Sequence, residues 1–427
     1  MNPFKYIKNN QLVKILSLNS ISVFVSLLSG FISIKFIAYF LGAEGMAIMG
    51  NFKNFSNFIK TFSTLGFDVG VTKLIAEHTS DDRKIKEVIT TALVSRVLSS
   101  LFISIILILG VSYFNRYVFI NYYFENVFYL FAVFLPLFSI NTFFIAVLNG
   151  YKKFKTLITV NIISSIIGLI ISLILIYYKH IIGALIGIAV IESIIALITY
   201  YYFRLEKIKF LFSLVYFSKK QLRLLLNFSV MTLTTALIFP NGNLYLRNLI
   251  IENEGIQQAG YWEALNTISR YYLLIFSSSL TMYYLPRLSE IKSDLELKKE
   301  IQNYFKILVP IFLGVITIVY IFKKQLVLLI LNKSFLEVTD LFLWQIMGDT
   351  FKILSLAFAY IFVAKMMTIK YIISEIVFYI IYIGASYFLI TNFHTKGVVI
   401  SYTIAYIVYF CMMILLFRTL FTKNIDV

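Results

Sequence analysis

Long apolar runs recur along the whole chain, separated by short polar connections. An α-helix needs about 20 such residues to cross about 30 Å of hydrocarbon. The pattern predicts an all-α polytopic membrane protein with twelve transmembrane helices. The predicted segments are residues 13–40, 46–77, 87–113, 119–148, 156–178, 181–203, 222–250, 257–285, 302–322, 337–364, 368–391 and 397–419.

Composition supports lipid as the solvent of this chain. Hydrophobic residues make up 60% of the 427 positions and charged residues 14%, against roughly 45–50% and about 25% in soluble domains. The net charge of +17 does not indicate a nucleic-acid partner, because no polar segment carries a basic stripe with interleaved aromatic residues.

The distribution of lysine and arginine between the connections predicts the orientation. With the N-terminus placed in the cytoplasm, 23 basic residues fall on the inner side and 6 on the outer side. Basic connections stay in the cytoplasm, so we expect both termini there. The basic connection 204–221 lies near the middle, and it predicts two six-helix bundles, 1–206 and 207–427.

Short matches between the two halves suggest an internal repeat. Gly183 to Arg204 spans as many residues as Gly397 to Arg418. A second alignment starts from Glu44 and Glu254, and it pairs Gly50 with Gly260, Lys53 with Glu263 and Lys60 with Arg270. Six helices per half make this a parallel, pseudo-symmetric repeat about an axis along the membrane normal.

Charged side chains inside the apolar segments indicate a polar interior, because lipid makes buried charge costly. The second segment carries Lys53, Asn57 and Lys60 on one helical face, and the eighth carries Glu263 and Arg270 on one face. We expect the two faces to meet in a mainly cationic cleft that binds phosphate and sugar hydroxyls. An ion pair between the halves, such as Lys53 with Glu263, is the alternative.

Other polar positions extend this set. Arg247 follows Pro240 and Gly242, which predicts either a broken helix lining a cavity or a proline kink with Arg247 reaching outward. Asp349 and Lys352 share one face of the tenth segment, where Asp349 can neutralise Lys352.

Three acids are candidates for ion coupling. Asp68 stands between Gly66 and Gly70, which can loosen the helix there, and Asp349 and Glu192 lie within later segments. Glu192 reads as a lone acid that either carries an ion or pairs with a base elsewhere. Glu375 is a further lone acid, for which an ion pair with Lys370 is the simpler interpretation. Lys73 and Glu77 are spaced to form an i, i+4 pair.

The sequence contains none of the catalytic motifs that we looked for. The chain has no P-loop, no Gly-x-Ser-x-Gly elbow and no metal-ligand spacing among its three histidines, and Cys411 is its only cysteine. We therefore expect a transporter without a cofactor or bound metal, driven by H⁺ or Na⁺ coupling.

Several short stretches resemble the Wzx-type flippases of the polysaccharide-transporter branch of the MOP exporter superfamily, which has a MATE-like fold. They are Gly70-Val71-Thr72-Lys73, Tyr284-Leu285-Pro286-Arg287-Leu288-Ser289, Leu341-Phe342-Leu343-Trp344-Gln345 with Gly348, Asp349 and Lys352, and Tyr406-Ile407-Val408-Tyr409-Phe410. The resemblance runs over nearly the whole chain, and five stretches in order are more specific than any one.

The resemblance implies a substrate and partners. The substrate would be undecaprenyl-diphosphate-linked oligosaccharide, moved from the cytoplasmic to the periplasmic leaflet of the bacterial inner membrane. Lys53, Arg247, Asp349 and Lys352 match the family pattern of the common-antigen flippase. Arg270 and Asp68 depart from it, where that pattern has an acid and an asparagine, which favours an O-antigen unit. An O-antigen polymerase and a chain-length regulator are implied partners, and a nucleic acid is not.

Two other functions remain open. A MATE-like multidrug exporter would share the fold, but a cationic cargo calls for an acidic cavity, whereas this set is mainly basic. A membrane O-antigen polymerase is the less favoured alternative, because no connection is large enough for the extended periplasmic loop of such enzymes.

Overall fold

The computed structural model describes residues 11–78, 81–206, 208 and 213–418, and the side chains of 11–20, 279, 282 and 286 are not described. Over these ranges the ordered elements are helical. The α-helices are α1 Gln11–Phe40, α2 Gly42–Ser63, α3 Asp68–Glu77, α4 Asp82–Leu109, α5 Val111–Phe119, α6 Glu125–Gly150, α7 Phe154–Leu205, α8 Lys219–Glu254, α9 Ile256–Ser279, α10 Leu285–Glu290, α11 Asp294–Asn303, α12 Val309–Ile321, α13 Lys323–Ile330, α14 Phe342–Ala364 and α15 Thr368–Leu416.

Short elements complete the chain between these helices. They are the 3₁₀ helices Leu214–Tyr216 and Lys333–Asp340 and the π-helical turns Leu280–Tyr284 and Tyr304–Leu308. The predicted boundary between 206 and 207 remains a prediction, because Lys207 lies outside the described residues. Lys5, Lys8, Lys209 and Lys423, which entered the orientation count, also lie outside them.

Helices in the described ranges are long and apolar enough for a membrane. Eight helical stretches meet that criterion, and one of them, Asp294–Ile321, joins α11 and α12 through the π-helical turn between them. Two of the eight, α7 and α15, contain a break where His180 (φ 49°) and His394 (φ 54°) leave the helical region. Large apolar side chains such as Leu197 and Phe388 stay exposed, as expected where the solvent is lipid. The all-helical membrane class is confirmed, and the count of twelve crossings stays a prediction.

The second predicted segment is interrupted, as its glycines suggested. The helix α2 ends at Ser63 and α3 begins at Asp68, with Leu65 (φ 54°) and Gly66 (φ 61°) in the left-handed region between them. Glycine adopts that conformation without strain, so Gly66 allows the turn. The break places Asp68 at the first position of a new helix.

The predicted break at Pro240 is wrong. The helix α8 runs from Lys219 to Glu254 with Pro240 inside it. Gly242 serves close packing instead: a Cβ built there would lie 2.2 Å from the Tyr379 ring. A proline costs a helix one hydrogen bond, and transmembrane helices tolerate that loss where neighbouring groups pack against it.

The chain separates into two compact units. Unit 1 comprises the described residues up to Phe40 together with Asn51–Pro240, and unit 2 comprises Leu41–Gly50 together with the residues from Asn241 onward. In unit 1 the buried Phe52 ring has its centroid 5.6 Å from that of Phe128. In unit 2 the Phe378 and Tyr406 rings are 4.4 Å apart. Each unit is thus held by buried aromatic contacts.

The backbone repeats at one spacing. The same number of residues separates Lys152 from Met366 and His180 from His394, and all four have positive φ. This spacing also relates Gly183 to Gly397, which confirms that predicted correspondence. The first residues of α2 and α9, Gly42 and Ile256, are separated by the same number of residues.

The second sequence alignment is therefore displaced. Pairing Glu44 with Glu254 uses a spacing about one helical turn shorter than the one that the backbone repeats. The predicted equivalences of Lys53 with Glu263 and of Lys60 with Arg270 are wrong by that amount. A shift of about one turn keeps side chains on the same helical face, which is why the shorter spacing still gave matches.

Candidate functional site

Lys60 of α2 is buried against an acid of α7 in unit 1. Its ammonium lies 2.9 Å from Glu192 Oε2 and donates to the Ile188 carbonyl at 3.3 Å. The Asn141 side chain donates to the Glu192 carbonyl at 3.0 Å. Glu192, which the sequence left as a lone acid, has Lys60 as its partner, and its own side chain remains 55% exposed.

The other two members of the predicted stripe are exposed. Lys53 and Asn57 lie about two turns and one turn before Lys60 on α2, and both side chains are accessible, whereas Lys60 is not. The helix therefore presents two accessible polar groups above one ion-paired lysine. The exposed Lys53 side chain is open to a ligand, whereas the Lys60 side chain is buried.

Arg96 is wholly buried beside Asp68. The Arg96 Nη2 donates to Asp68 Oδ1 at 2.9 Å and also to the Thr142 hydroxyl. Its Nε and Nη1 are buried without a hydrogen-bond partner. Asp68 keeps 47% of its side chain exposed, so this carboxylate faces accessible space while its countercharge lies beneath it.

In unit 2 a single carboxylate holds two arginines. Glu263 of α9 accepts from buried Arg247 of α8 and, at 2.7 Å, from Arg270 of α9. The Arg247 guanidinium also lies 5.2 Å from the Trp262 ring centroid. The side chain of Arg247 is 2% exposed and that of Arg270 is 51% exposed. The alternative with Arg247 reaching outward is therefore wrong, and Arg270 is the accessible member.

Asp349 of α14 is surrounded by hydroxyl groups. Ser269 donates to it at 2.6 Å, Tyr402 donates at 2.7 Å, and Tyr272 donates as well. Among the ion pairs of the described residues, no Asp349–Lys352 contact lies within 4.0 Å. The two charges interact at longer range, so the predicted neutralisation of Lys352 by Asp349 is not a direct ion pair. The three hydroxyl donors stabilise the carboxylate without a contact cation.

Lys352 lies among tyrosines. Its ammonium is 5.5 Å from the Tyr406 ring centroid, and the neighbouring Glu375 accepts from Tyr409 at 2.9 Å. Glu375 thus has a tyrosine partner rather than the expected Lys370. Sequence reasoning missed this cluster, although Tyr402, Tyr406 and Tyr409 recur at helical spacing, a pattern that could have found it.

Outside the apolar segments, the Glu206 carboxylate at the end of α7 contacts residues at the start of that helix. The Thr156 hydroxyl donates to Glu206, and the Lys153 ammonium lies 2.9 Å from it. These two partners hold the pKa of Glu206 below its ordinary value of 4.5. At the start of α4, the backbone N–H of Lys84 donates to Asp81 and lowers the pKa of that helix-capping carboxyl.

The site residues therefore form separate clusters within each unit. Unit 1 brings together Lys60 with Glu192 and Asp68 with Arg96, and unit 2 brings together Arg247, Glu263 and Arg270. Over the ranges that the structure describes, no three His, Cys, Asp or Glu side chains are grouped to hold a metal ion. Lys53 of α2 and Arg270 of α9 are the accessible cations on the helices that carry Lys60 and Glu263, and Arg270 is accessible although it is paired with Glu263.

The fold is that of MATE-type membrane transporters. An inward-facing multidrug resistance MATE family transporter of the MOP superfamily matches 97% of this chain and 100% of its own, with a TM-score of 0.73 at 15% identity. A MOP superfamily transporter from Pyrococcus furiosus, described as having a binding pocket of reversed polarity, matches 94% of this chain and 96% of its own, with a TM-score of 0.66 at 15% identity.

Sequence comparison gives the family. Residues 36–340 match the family model described as polysaccharide biosynthesis protein, so the chain belongs to that family. The lipid III flippases of Escherichia coli K12 and Shigella flexneri are each 23% identical over 360 residues, which is 83% of this chain and 86% of theirs. The chain is a multi-pass membrane protein.

Proposed function

We propose that this chain is a flippase for lipid-linked oligosaccharide in the bacterial inner membrane. The observation that carries the proposal is the exposure of two cationic side chains, Lys53 of α2 and Arg270 of α9, in a membrane protein whose Lys60 and Arg247 are buried in ion pairs. Family membership and similarity to lipid III flippases support the same substrate class.

The physics of the head group explains why such cations are needed. A diphosphate with its sugars cannot enter hydrocarbon unaided, since unpaired buried charge costs many kcal/mol. Lys53 in unit 1 and Arg270 in unit 2 could each offer charge-assisted hydrogen bonds to phosphate oxygens. Asn57 would bind sugar hydroxyls, whereas Lys60, Arg247, Glu263 and Lys352 would tune the local charge and exchange partners during transport.

The proposal extends to mechanism. Alternating access would expose the substrate-binding residues first to the cytoplasm and then to the periplasm, and H⁺ or Na⁺ would drive the cycle through Asp68, Asp349 or Glu192. The substrate proposed is an O-antigen repeat unit on undecaprenyl diphosphate. An O-antigen polymerase and a chain-length regulator would act on the product after it reaches the outer leaflet.

A leaflet assay tests the activity. Deleting the gene should make lipid-linked oligosaccharide accumulate in the cytoplasmic leaflet, detected by a membrane-impermeant sugar-specific lectin or enzyme added to oriented vesicles. Restoring the gene should return the lipid to the periplasmic leaflet. An unchanged leaflet distribution in the deletion strain would contradict the proposal.

Point variants test the binding residues. Lys53→Ala and Arg270→Ala should each reduce transport at least about tenfold, the loss expected when one charge-assisted contact is removed. Lys324→Ala, which removes an exposed lysine of α13, serves as the matched control and should transport normally. Normal surface glycan in both test variants, at wild-type protein levels, would refute the roles assigned to these residues.

The second candidate is a multidrug exporter, favoured by the likeness to multidrug MATE structures. Its cationic drugs would be repelled by Lys53 and Arg270. Drug resistance conferred by this chain, with normal leaflet distribution of lipid-linked sugars in the deletion strain, would favour that function instead.

A further inference from the structure

A pocket of about 470 Å³ lies in unit 1 between α3 and α6, apart from the residues proposed above for the oligosaccharide. Its polar lining is Asp68, Thr72, Lys73, Thr142 and Asn149, and its apolar lining is Val69, Ala76, Ile145 and Ala146. Pockets of this size accept small ligands and lipid head groups.

The pocket lies where a lipid head group would be found. Lys73 and Ala76 belong to the last turns of α3, which ends at Glu77, and Asn149 belongs to the last turn of α6. Val69 on the same wall is 60% exposed. An exposed apolar wall joined to polar groups at the helix ends is the arrangement expected at the boundary between acyl chains and head groups.

Each of the two charged residues that line the pocket has an oppositely charged neighbour. Arg96 neutralises Asp68 from behind, and Glu77 lies 3.8 Å from Lys73. An anion alone would meet the half-exposed carboxylate of Asp68, and a cation alone would meet the half-exposed ammonium of Lys73. A ligand that carries both charges would satisfy both groups.

The remaining hydrogen-bonding capacity selects the cationic end of such a ligand. The Thr72 hydroxyl donates to the Ala146 carbonyl at 3.2 Å, and the Thr142 hydroxyl donates to the Ser139 carbonyl at 3.2 Å. Both hydroxyls therefore offer lone pairs, as does the second oxygen of Asp68. Acceptors therefore prevail at the Asp68–Thr72 end of the pocket, away from the Lys73 ammonium, so a ligand group bound at that end should bring N–H donors.

Arg96 holds the Asp68 side chain at the wall of the pocket. The guanidinium is wholly buried, yet two of its nitrogens have no partner. Such a buried, incompletely paired cation is costly. Its Nη2 donates to one oxygen of Asp68, and a ligand ammonium would bind the other oxygen of this half-exposed carboxylate.

We propose that this pocket binds a zwitterionic aminophospholipid, with the ammonium on Asp68 and Thr72 and the phosphate on Lys73. The lipid belongs to the surrounding bilayer and is not the transported substrate. Val69 and Ile145 would contact its glycerol and acyl region.

Native mass spectrometry of the purified full chain tests the proposal. Phosphatidylethanolamine, phosphatidylcholine and phosphatidylglycerol with identical acyl chains are added in equal amounts. Phosphatidylethanolamine should be retained over phosphatidylcholine by roughly tenfold, because the methylated amine cannot donate a hydrogen bond. Equal retention of the three lipids, or preference for phosphatidylglycerol, would overturn it.

Variants locate the site. Lys73→Glu and Thr72→Val should each reduce phosphatidylethanolamine retention several-fold, whereas Lys324→Ala should leave it unchanged. Asp68→Asn should lower retention of phosphatidylethanolamine and raise that of phosphatidylglycerol. If Asp68→Asn fails to fold because Arg96 loses its partner, the first two variants still decide, and unchanged retention in both refutes the site. The readout does not involve transport, so it is independent of the flippase assay.

Discussion

At the scale of single residues, this chain keeps charges among apolar helices by giving most of them a partner. Lys60 has Glu192, Arg96 has Asp68, and Arg247 has Glu263. Removing one member of a buried pair leaves the other charge buried and uncompensated. This lowers stability by more than the intact pair contributes to it. The pairs therefore set which substitutions the protein can survive.

Glu263→Gln should be strongly destabilising. It would leave Arg247, which is almost completely buried, without its carboxylate. We expect a loss of about 3–5 kcal/mol, measured as a lower midpoint of thermal unfolding in detergent.

The double variant Arg247→Met/Glu263→Gln is the control for this effect. It removes both charges and should recover most of the loss. Arg270→Gln should destabilise much less, because Arg270 is half-exposed and can be solvated. A double variant no more stable than Glu263→Gln would show that the pair is not the source of the effect.

At the scale of elements, the two hairpins of α7 and α15 share one device. Each turns at a histidine with positive φ and is closed by a glycine three residues later, Gly183 and Gly397. A Cβ on Gly183 would lie 1.9 Å from the Leu175 carbonyl oxygen, and one on Gly397 would lie 2.3 Å from that of Leu389. Only glycine lets the helices approach so closely.

Gly397→Ala should therefore reduce stability and protein yield, because the new methyl group meets backbone that cannot move aside. Gly384→Ala in the same helix is the matched control, since nothing lies within 4 Å of a Cβ at that position. Alanine favours helix over glycine by about 1 kcal/mol, so this control should be neutral or stabilising. Equal behaviour of the two variants in thermal unfolding would contradict the packing argument.

The open ends of the α7 hairpin should respond to acid. Glu206 has a lowered pKa because Thr156 and Lys153 contact its ionised form. A lowered folded-state pKa contributes stability above pH 4.5, and this stability is lost as the pH falls below that value. The protection factors for hydrogen exchange near Phe154 and Leu205, which correct for the slower intrinsic exchange in acid, should fall in that range. Glu206→Gln should show low protection at neutral pH already and no such acid step.

Hydropathy predicted the helical class and the apolar segments well, because lipid requires continuous runs of apolar side chains and internally bonded backbone. Hydropathy could not predict which residues form ion pairs with the charged side chains. The periodicity of α2 placed Lys60 on a face, but only the fold brings Glu192 of α7 to it. Similarly, Pro240 and Gly242 carry a helix-breaking signal, yet the Tyr379 ring uses Gly242 for packing and the helix continues.

The residue spacing between the two halves is a second case in which side-chain patterns alone were insufficient. The turn residues fix the spacing between halves because positive φ is rare and cannot slide along a helix. Polar residues inside α2 and α9 can be aligned one helical turn out of register and still match. The alignment of Glu44 with Glu254 contained this error. Sequence signals tied to backbone geometry were therefore the reliable ones, and those tied to side-chain chemistry on a helix were not.

At the scale of the whole molecule, the orientation of the chain is the open prediction with the most consequences. The basic connections predict that both termini and the connection after α10 face the cytoplasm, whereas the turns at His180 and His394 face the periplasm. The exposed lysines Lys324 and Lys333 sit on the predicted outer side and run against the trend. A direct measurement is therefore needed, and Cys411 makes one practicable because it is the only cysteine.

A chain with Cys411→Ser provides the cysteine-free background. Single cysteines replacing the exposed Lys179, Lys324 or Lys396 should react with a membrane-impermeant maleimide added to intact spheroplasts. Cysteines replacing the exposed Lys220 or Lys299 should react only after the membrane is opened. Twelve crossings require this alternation, since an odd number of crossings between two sites puts them on opposite sides. Labelling of the Lys220 position in intact cells, or protection of both hairpin turns, would reverse the orientation and with it the leaflet from which the substrate is taken.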